Sequence, residues 1–361
     1  MLAVVAGCGT PGIPEPPSLE LARPVTDLRA VRKGNEVRLT WSVPQLTEDH
    51  QIFRHAGSTR VCRSIGSPLH ACDTPVDDLP PGTASTQHVS SRRRLTKSQL
   101  PTPPIETYTD QLSSSIESRF PISNLSYAVS VFNSYGRSAG LSNQVQVPSA
   151  PTLAAPANVR ARLSANGVEI TWTAIPPSPQ ISGIKHEYRI YRRDVTGGHD
   201  GVAGEIADDG GSEPHFLDTT FDWEKTYDYR VTVVTLITRP EGSEQVEGDD
   251  SSQARVLTHD VFPPATPTGL QAVFSGPGQK PFIDLIWTGN TESDLAGYNV
   301  YRGERGFIPM KMNFDLVHSP AFRDSNVLPG HEYSYSVSAV DARSNQSPRS
   351  EEATETVPKT Q

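Results

Sequence analysis

Three times along this chain a strand of alternating apolar and polar residues ends in tryptophan. The copies read Val37-Arg-Leu39-Thr-Trp41, Val168-Glu-Ile170-Thr-Trp172 and Ile283-Asp-Leu285-Ile-Trp287. Successive side chains of a strand point to opposite faces, so each copy puts two aliphatics and an indole on one side. Each is preceded by a proline-led strand: Pro24 to Ala30, Pro156 to Ala161 and Pro267 to Ala272. Three further elements follow in constant order. The first is an aliphatic-aromatic-Arg element, at His50–Arg54, Tyr188–Arg192 and Tyr298–Arg302. The second is an aromatic-x-Asp strand, ending at Asp110, Asp218 and Asp324. The last is a Tyr-led strand, opening at Tyr127, Tyr229 and Tyr335. Short strands repeated in one order predict tandem β-sandwiches rather than one large core.

Composition supports this. The 361 residues are 35 % hydrophobic, with 32 prolines and 3 methionines. That suits several half-buried sheets and is poor for long helices. No amphipathic helix of about a dozen residues with caps at both ends stands out, so the chain reads as all-β without helices, and no apolar run reaches the roughly 18–20 residues that a membrane-spanning helix needs.

The repeated strands resemble the fibronectin type III family, which has a buried Trp on its second strand and a tyrosine corner entering its sixth. On that resemblance the corner residues are Tyr227 and Tyr333, two positions before Tyr229 and Tyr335. Val327-Leu328-Pro329-Gly330 matches the family's approach to the corner. The first copy has Leu125 there, forgoing a hydrogen bond contributing about 1 kcal/mol. The resemblance implies an all-β chain of three tandem immunoglobulin-like (fibronectin type III) β-sandwich domains in an extended row. They are expected at 23–148, 152–258 and 264–357, joined by short proline-rich linkers. The first carries a long insertion at 79–104.

The N-terminus has its own signature. Val5-Ala6-Gly7-Cys8 resembles the lipobox of bacterial lipoproteins. There the cysteine thiolate takes a diacylglyceryl group, and small preceding residues admit the peptidase. Cys8 is therefore the expected lipid-attachment residue, and residues 1–8 read as a truncated signal, since seven residues are too few for the basic and apolar regions of a full one. Gly9 after Cys8 resembles an outer-membrane sorting pattern. Residues 9–22 form a proline-rich tether. In an exported protein Cys62 and Cys72 are expected to pair, leaving Cys8 for the lipid. A two-cysteine metal site with His70 is the alternative, and it lacks a recognisable fourth ligand.

Charge is uneven: residues 19–150 carry +3, residues 151–260 carry −8 and residues 261–361 carry −3. This balance disfavours nucleic acid, which requires a basic stripe. The basic run is Arg92, Arg93, Arg94 and Lys97, inside the 79–104 insertion. It reads as a solvated arm and as the candidate binding element of the chain. Carboxylates crowd Glu241–Asp250, which reads as a solvated acidic turn, with a weak cation site as its alternative. Trp223 reads as a packed loop plug, or else an exposed platform for sugar stacking.

No nucleophile elbow, phosphate cradle or metal-ligand spacing stands out, so no catalytic residue, metal or cofactor is expected. The sequence suggests a non-catalytic cell-envelope lipoprotein, held to the membrane by lipid on Cys8. It would present its domains to an extracellular protein or polysaccharide. The alternative is a structural spacer or accessory module of a carbohydrate-active or secretion assembly.

Overall fold

Alternation of apolar and polar residues becomes alternation of burial in the computed structural model, which describes residues 19–359 apart from 74, 82–101, 175–179, 212, 277 and 305–306. Cys8, the basic run Arg92–Arg94 and Lys97 lie outside the described residues. In the first repeat the strands are β1 (Arg29–Lys33), β2 (Glu36–Ser42), β3 (Ala56–Ile65), β4 (Pro75–Leu79), β5 (Ile105–Gln111), β6 (Asn124–Asn133) and β7 (Val145–Pro148). One layer runs β1-β2-β5 and the other β4-β3-β6-β7, with antiparallel pairing within each. Val37, Leu39 and Trp41 on β2 face Val61, Tyr127 and Val129 across the layers, and all six are buried. Burying one such aliphatic side chain contributes roughly 1.5–3 kcal/mol.

The second repeat uses β8 (Ala157–Ser164), β9 (Gly167–Thr173), β10 (Ile184–Asp194), β11 (Asp200–Ala207), β12 (His215–Asp218), β13 (Thr226–Arg239), β14 (Gly242–Glu247) and β15 (Ala254–Leu257). The third uses β16 (Thr268–Phe274), β17 (Ile283–Thr288), β18 (Leu295–Glu304), β19 (Met310–Lys311), β20 (Ala321–Asp324), β21 (Glu332–Asp341) and β22 (Ala353–Thr356). Its layers, β16-β17-β20 and β19-β18-β21-β22, repeat the strand order of the first repeat. Among the described residues, strand β14 has no counterpart in the other two. Contacts group the chain into two compact units. One holds the first repeat with Glu169–Asp218 and Asp228–Arg255; the other holds Val256 onward with Arg162–Val168 and Thr219–Tyr227.

Two sequence expectations need correction. The third element of the first repeat is not His50–Arg54, which is loop; it is β3. The loop before it is longer than in the other copies, and Ile52 and Phe53 lie on that loop, Phe53 resting on the core. Pairing fixes the equivalence: Arg63 lies opposite Tyr127, as Arg302 lies opposite Tyr335. Thr59 thereby occupies the place of Tyr188 and Tyr298. Those tyrosines meet Trp172 and Trp287 edge-on, with ring centroids 5.1 Å apart in both repeats. Such pairs contribute about 0.5–1.5 kcal/mol beyond area, and among its described residues the first repeat has no counterpart. The second correction is a short helix, α1 (Ser114–Arg119), between β5 and β6. It places Glu117 in the interior against Arg32, at 2.6 Å.

Cys62 on β3 and Cys72, just before β4, form a disulfide with Cα atoms 5.5 Å apart. The bond closes the turn between the two strands. In a chain-entropy account a loop of that length contributes roughly 2–3 kcal/mol.

Candidate functional site

The buried ionisable groups of all three repeats share one arrangement. The aromatic-x-Asp strand carries at or next to its end an aspartate exposed by 4 % or less: Asp110, Asp218 or Asp324. Each accepts a hydrogen bond from the phenol at the head of the Tyr-led strand: Tyr127 at 2.6 Å, Tyr229 at 2.8 Å and Tyr335 at 2.9 Å. Each also pairs with an arginine of the third strand. Arg192 lies 2.7 Å from Asp218 and Arg302 lies 2.9 Å from Asp324, while Arg63 holds Asp110. Burial, reinforced by the bond to aspartate, pushes all three phenols far above the usual range. An arginine that is always charged and an aspartate bound by a phenol make a structural clasp rather than an acid–base pair.

The corner tyrosines behave as the resemblance implies. The Tyr227 hydroxyl accepts from the amide of Asp222 at 3.1 Å, and that of Tyr333 from the amide of Leu328 at 3.0 Å. Leu125 fills the first corner, fully buried. Trp223 is half-buried and packed, 4.9 Å from the Phe221 ring and 6.3 Å from Phe262 of the following linker. These contacts are those of a packed plug.

The acidic segment Glu241–Asp250 is not a solvated turn. The turn Pro240-Glu241 folds β14 back onto β13, with Arg239 opposite Gly242. The far edge of β14 then meets β1 of the first repeat in parallel, Lys33 opposite Glu247. The Gly34 amide donates to the Glu247 carbonyl at 2.7 Å. Sheets of the first and second repeats thereby become one eight-stranded sheet. Gly34 is required there: its φ is +55°, and a Cβ would sit 2.9 Å from Asp249 Cγ. That conformation is ordinary for glycine and strained for other residues.

Charges close this brace. Lys33 Nζ lies 2.7 Å from Asp250. Glu247 accepts from Arg189 at 2.5 Å and from the Tyr191 hydroxyl at 2.6 Å. Arg239 donates to the Ile122 carbonyl at 2.6 Å, the Ser123 carbonyl at 3.2 Å and Asn124 Oδ1 at 2.8 Å, and pairs with Glu244 at 2.8 Å. Beside it lies a polar cleft of 470 Å³ lined by Asn124, Gln146, Arg239, Glu241 and Glu244. Replacing Arg239 by alanine removes the donor to the Ile122 carbonyl and the charged bond to Asn124, while the Ser123 carbonyl keeps Ser149, and should cost roughly 1.5–3 kcal/mol. Calorimetry checks this: the first two repeats should melt together in the parent and separately in the variant. A shared transition in both would show that Arg239 is not the pin.

A second junction lies within the other unit. The Glu224 carboxylate accepts from the Asp260 amide at 3.3 Å, pairs with His259 at 2.9 Å and reaches Arg343 at 3.7 Å. The Asn345 side-chain Nδ2 donates to the Asp260 carbonyl at 3.2 Å. Here three carboxylates converge: Asp260, Asp294 and Asp341 each offer an oxygen within 4.8 Å of the others, the first and third being buried. Asp341 also accepts from the amides of Arg343 and Asn345, both at 2.8 Å. Among the described residues these are the ones that could hold a hard cation. They supply three of the six to eight oxygens that calcium takes. The sequence does not bring these three together, because they stand 34 and 47 positions apart in the chain, with no loop spacing to join them.

The strand order, the paired layers and the corner tyrosines define the class: fibronectin type III-like, immunoglobulin-fold β-sandwiches. The chain is similar to the FN1–FN3 domains of chicken CNTN1, with 16 % identity over 93 % of this chain and 99 % of that one, at a TM-score of 0.27. It is similar also to a Fn3-like protein from Clostridium thermocellum, with 31 % identity over 28 % of this chain and 99 % of that one, at a TM-score of 0.23. No family model matches the sequence, and no curated protein does.

Proposed function

We propose that this protein is a non-catalytic cell-envelope lipoprotein that holds braced β-sandwiches out from a membrane for adhesion or for protein or glycan interaction. The observation that carries the reading is the brace itself. Its second repeat spends an extra strand and five charged side chains (Arg189, Arg239, Glu244, Glu247 and Asp250) on rigidity towards the first. Rigid presentation lowers the ordering cost of binding a distant partner. The lipobox around Cys8 supports anchoring by lipid, and the Cys62–Cys72 disulfide fits an oxidising, exported setting. The basic run Arg92–Arg94 with Lys97 remains the proposed binding arm.

Intact mass spectrometry of protein from native membranes, without reduction, tests the anchor. A diacyl or triacyl adduct on an N-terminal Cys8 is expected, lost in a Cys8→Ala variant that no longer partitions with membranes. An unmodified chain retaining Met1 would remove the anchor from the reading. The same brace also favours a second reading, a rigid spacer or accessory module. A glycan array and a partner pull-down separate the two, since a spacer scores in neither.

A further inference from the structure

We infer that the third repeat ends in a docking surface for the turn after the sixth strand of another sandwich, and that this partner is the first repeat of a second copy of the chain. This rests on contacts within the sandwiches and not on the lipid anchor.

Both junctions of the chain use one contact. The segment entering the sixth strand of one repeat receives the far end of the sixth strand of the next, or the turn just after it. Ile122-Ser123-Asn124 receives Arg239 at the base of the β13–β14 hairpin. Glu224 receives Arg343, which follows β21. The corresponding end of the third repeat is apolar and open to solvent. Leu328 is 56 % exposed before the corner, and Phe307 and Ile308 on the turn after β18 are 75 % and 87 % exposed. Glu304 and His331, 3.6 Å apart, bring that turn and the corner together. Exposed apolar clusters of this kind mark interaction sites.

The first repeat offers the matching turn. Asn133 Oδ1 accepts from the amides of Tyr135 at 3.0 Å and Arg137 at 2.9 Å. Asp341 makes the same two bonds to Arg343 and Asn345, so Tyr135 holds the place of Arg343. Tyr135 is 72 % exposed, and Arg137 beside it is exposed. An aromatic with an adjacent cation suits Phe307, Ile308 and Leu328 edged by Glu304 and the exposed Glu332. Donor and acceptor surfaces differ, so the contact is head-to-tail, and each bound copy still offers one surface to a further copy.

Sedimentation velocity of the full chain over a concentration series up to about 100 µM is the test, a range suited to micromolar contacts. The parent should grow past dimer as concentration rises. Tyr135→Ala and the double variant Phe307→Ser/Ile308→Ser should each stay monomeric while keeping the parent's circular dichroism. Mixed together, they should form a one-to-one pair, because each retains the surface the other lacks. A parent that stays monomeric overturns the proposal. So does growth that either variant leaves untouched, or a mixture that fails to pair.

Discussion

Replacing Asp324 by alanine should destabilise the third repeat by roughly 3–5 kcal/mol, the usual loss when one partner of a buried ion pair is removed. The size follows from what is left behind. Asp324 is 2 % exposed and accepts from the buried Tyr335 phenol and from Arg302. Without it the phenol loses its acceptor in the interior. The Arg302 side chain is 21 % exposed and recovers part of its hydration, which favours the lower end of the range. Arg302 also donates to the Asn326 carbonyl at 2.8 Å, so the loop after β20 loosens as well. Asp324→Asn should cost less, since its amide oxygen still accepts from the phenol while the charge is gone. Urea unfolding followed through Trp287 measures both. A loss under 1 kcal/mol for the alanine variant would show that the clasp is ornamental.

Stability should collapse at alkaline pH. Burial first, and the bond to aspartate second, hold the Tyr229 phenol above the ordinary value of 10.0; Tyr127 and Tyr335 are raised in the same direction. The sign follows from proton counting. Above about pH 10 the unfolded chain releases these protons while the folded chain keeps them, so rising pH favours unfolding. The contribution is complete below pH 10 and is lost above it, at about 1.4 kcal/mol per pH unit for each phenol. A titration of phenolate absorbance should show the three clasped tyrosines ionising only together with loss of circular dichroism. Smooth ionisation of all 11 tyrosines in a folded chain would contradict the clasp. Tyr335→Phe should flatten the alkaline slope of the third repeat alone.

Much of this fold is legible before any coordinates. Trp41, Trp172 and Trp287 stand next to last in strands whose inward residues recur every second position, and all three are buried. Tyr227 and Tyr333 are readable because a corner is local, spanning five residues to Asp222 and Leu328. The third strand of the first repeat is harder to place. Ile52-Phe53-Arg54 imitates the pattern, while the true strand carries Cys62 where the other repeats carry Tyr191 and Tyr301. A single aliphatic-x-Arg triplet holds too little information to choose between them, and the pairing of Arg63 with Tyr127 decides it.

By itself the sequence determined the strand period, the repeat and the core residues, because these follow from alternation along a few neighbouring positions. Tertiary structure alone decided which charges meet. Arg63 finds Asp110 at a separation of 47, and Arg239 finds Ile122 at 117. The edge of β14 pairs with β1 through backbone groups, which leave no mark in side-chain pattern. Burial is written locally, by hydrophobicity and period. Charge pairing and edge pairing depend on where the folded chain brings distant segments, and for this protein they join one sheet from each of two sandwiches into a single sheet.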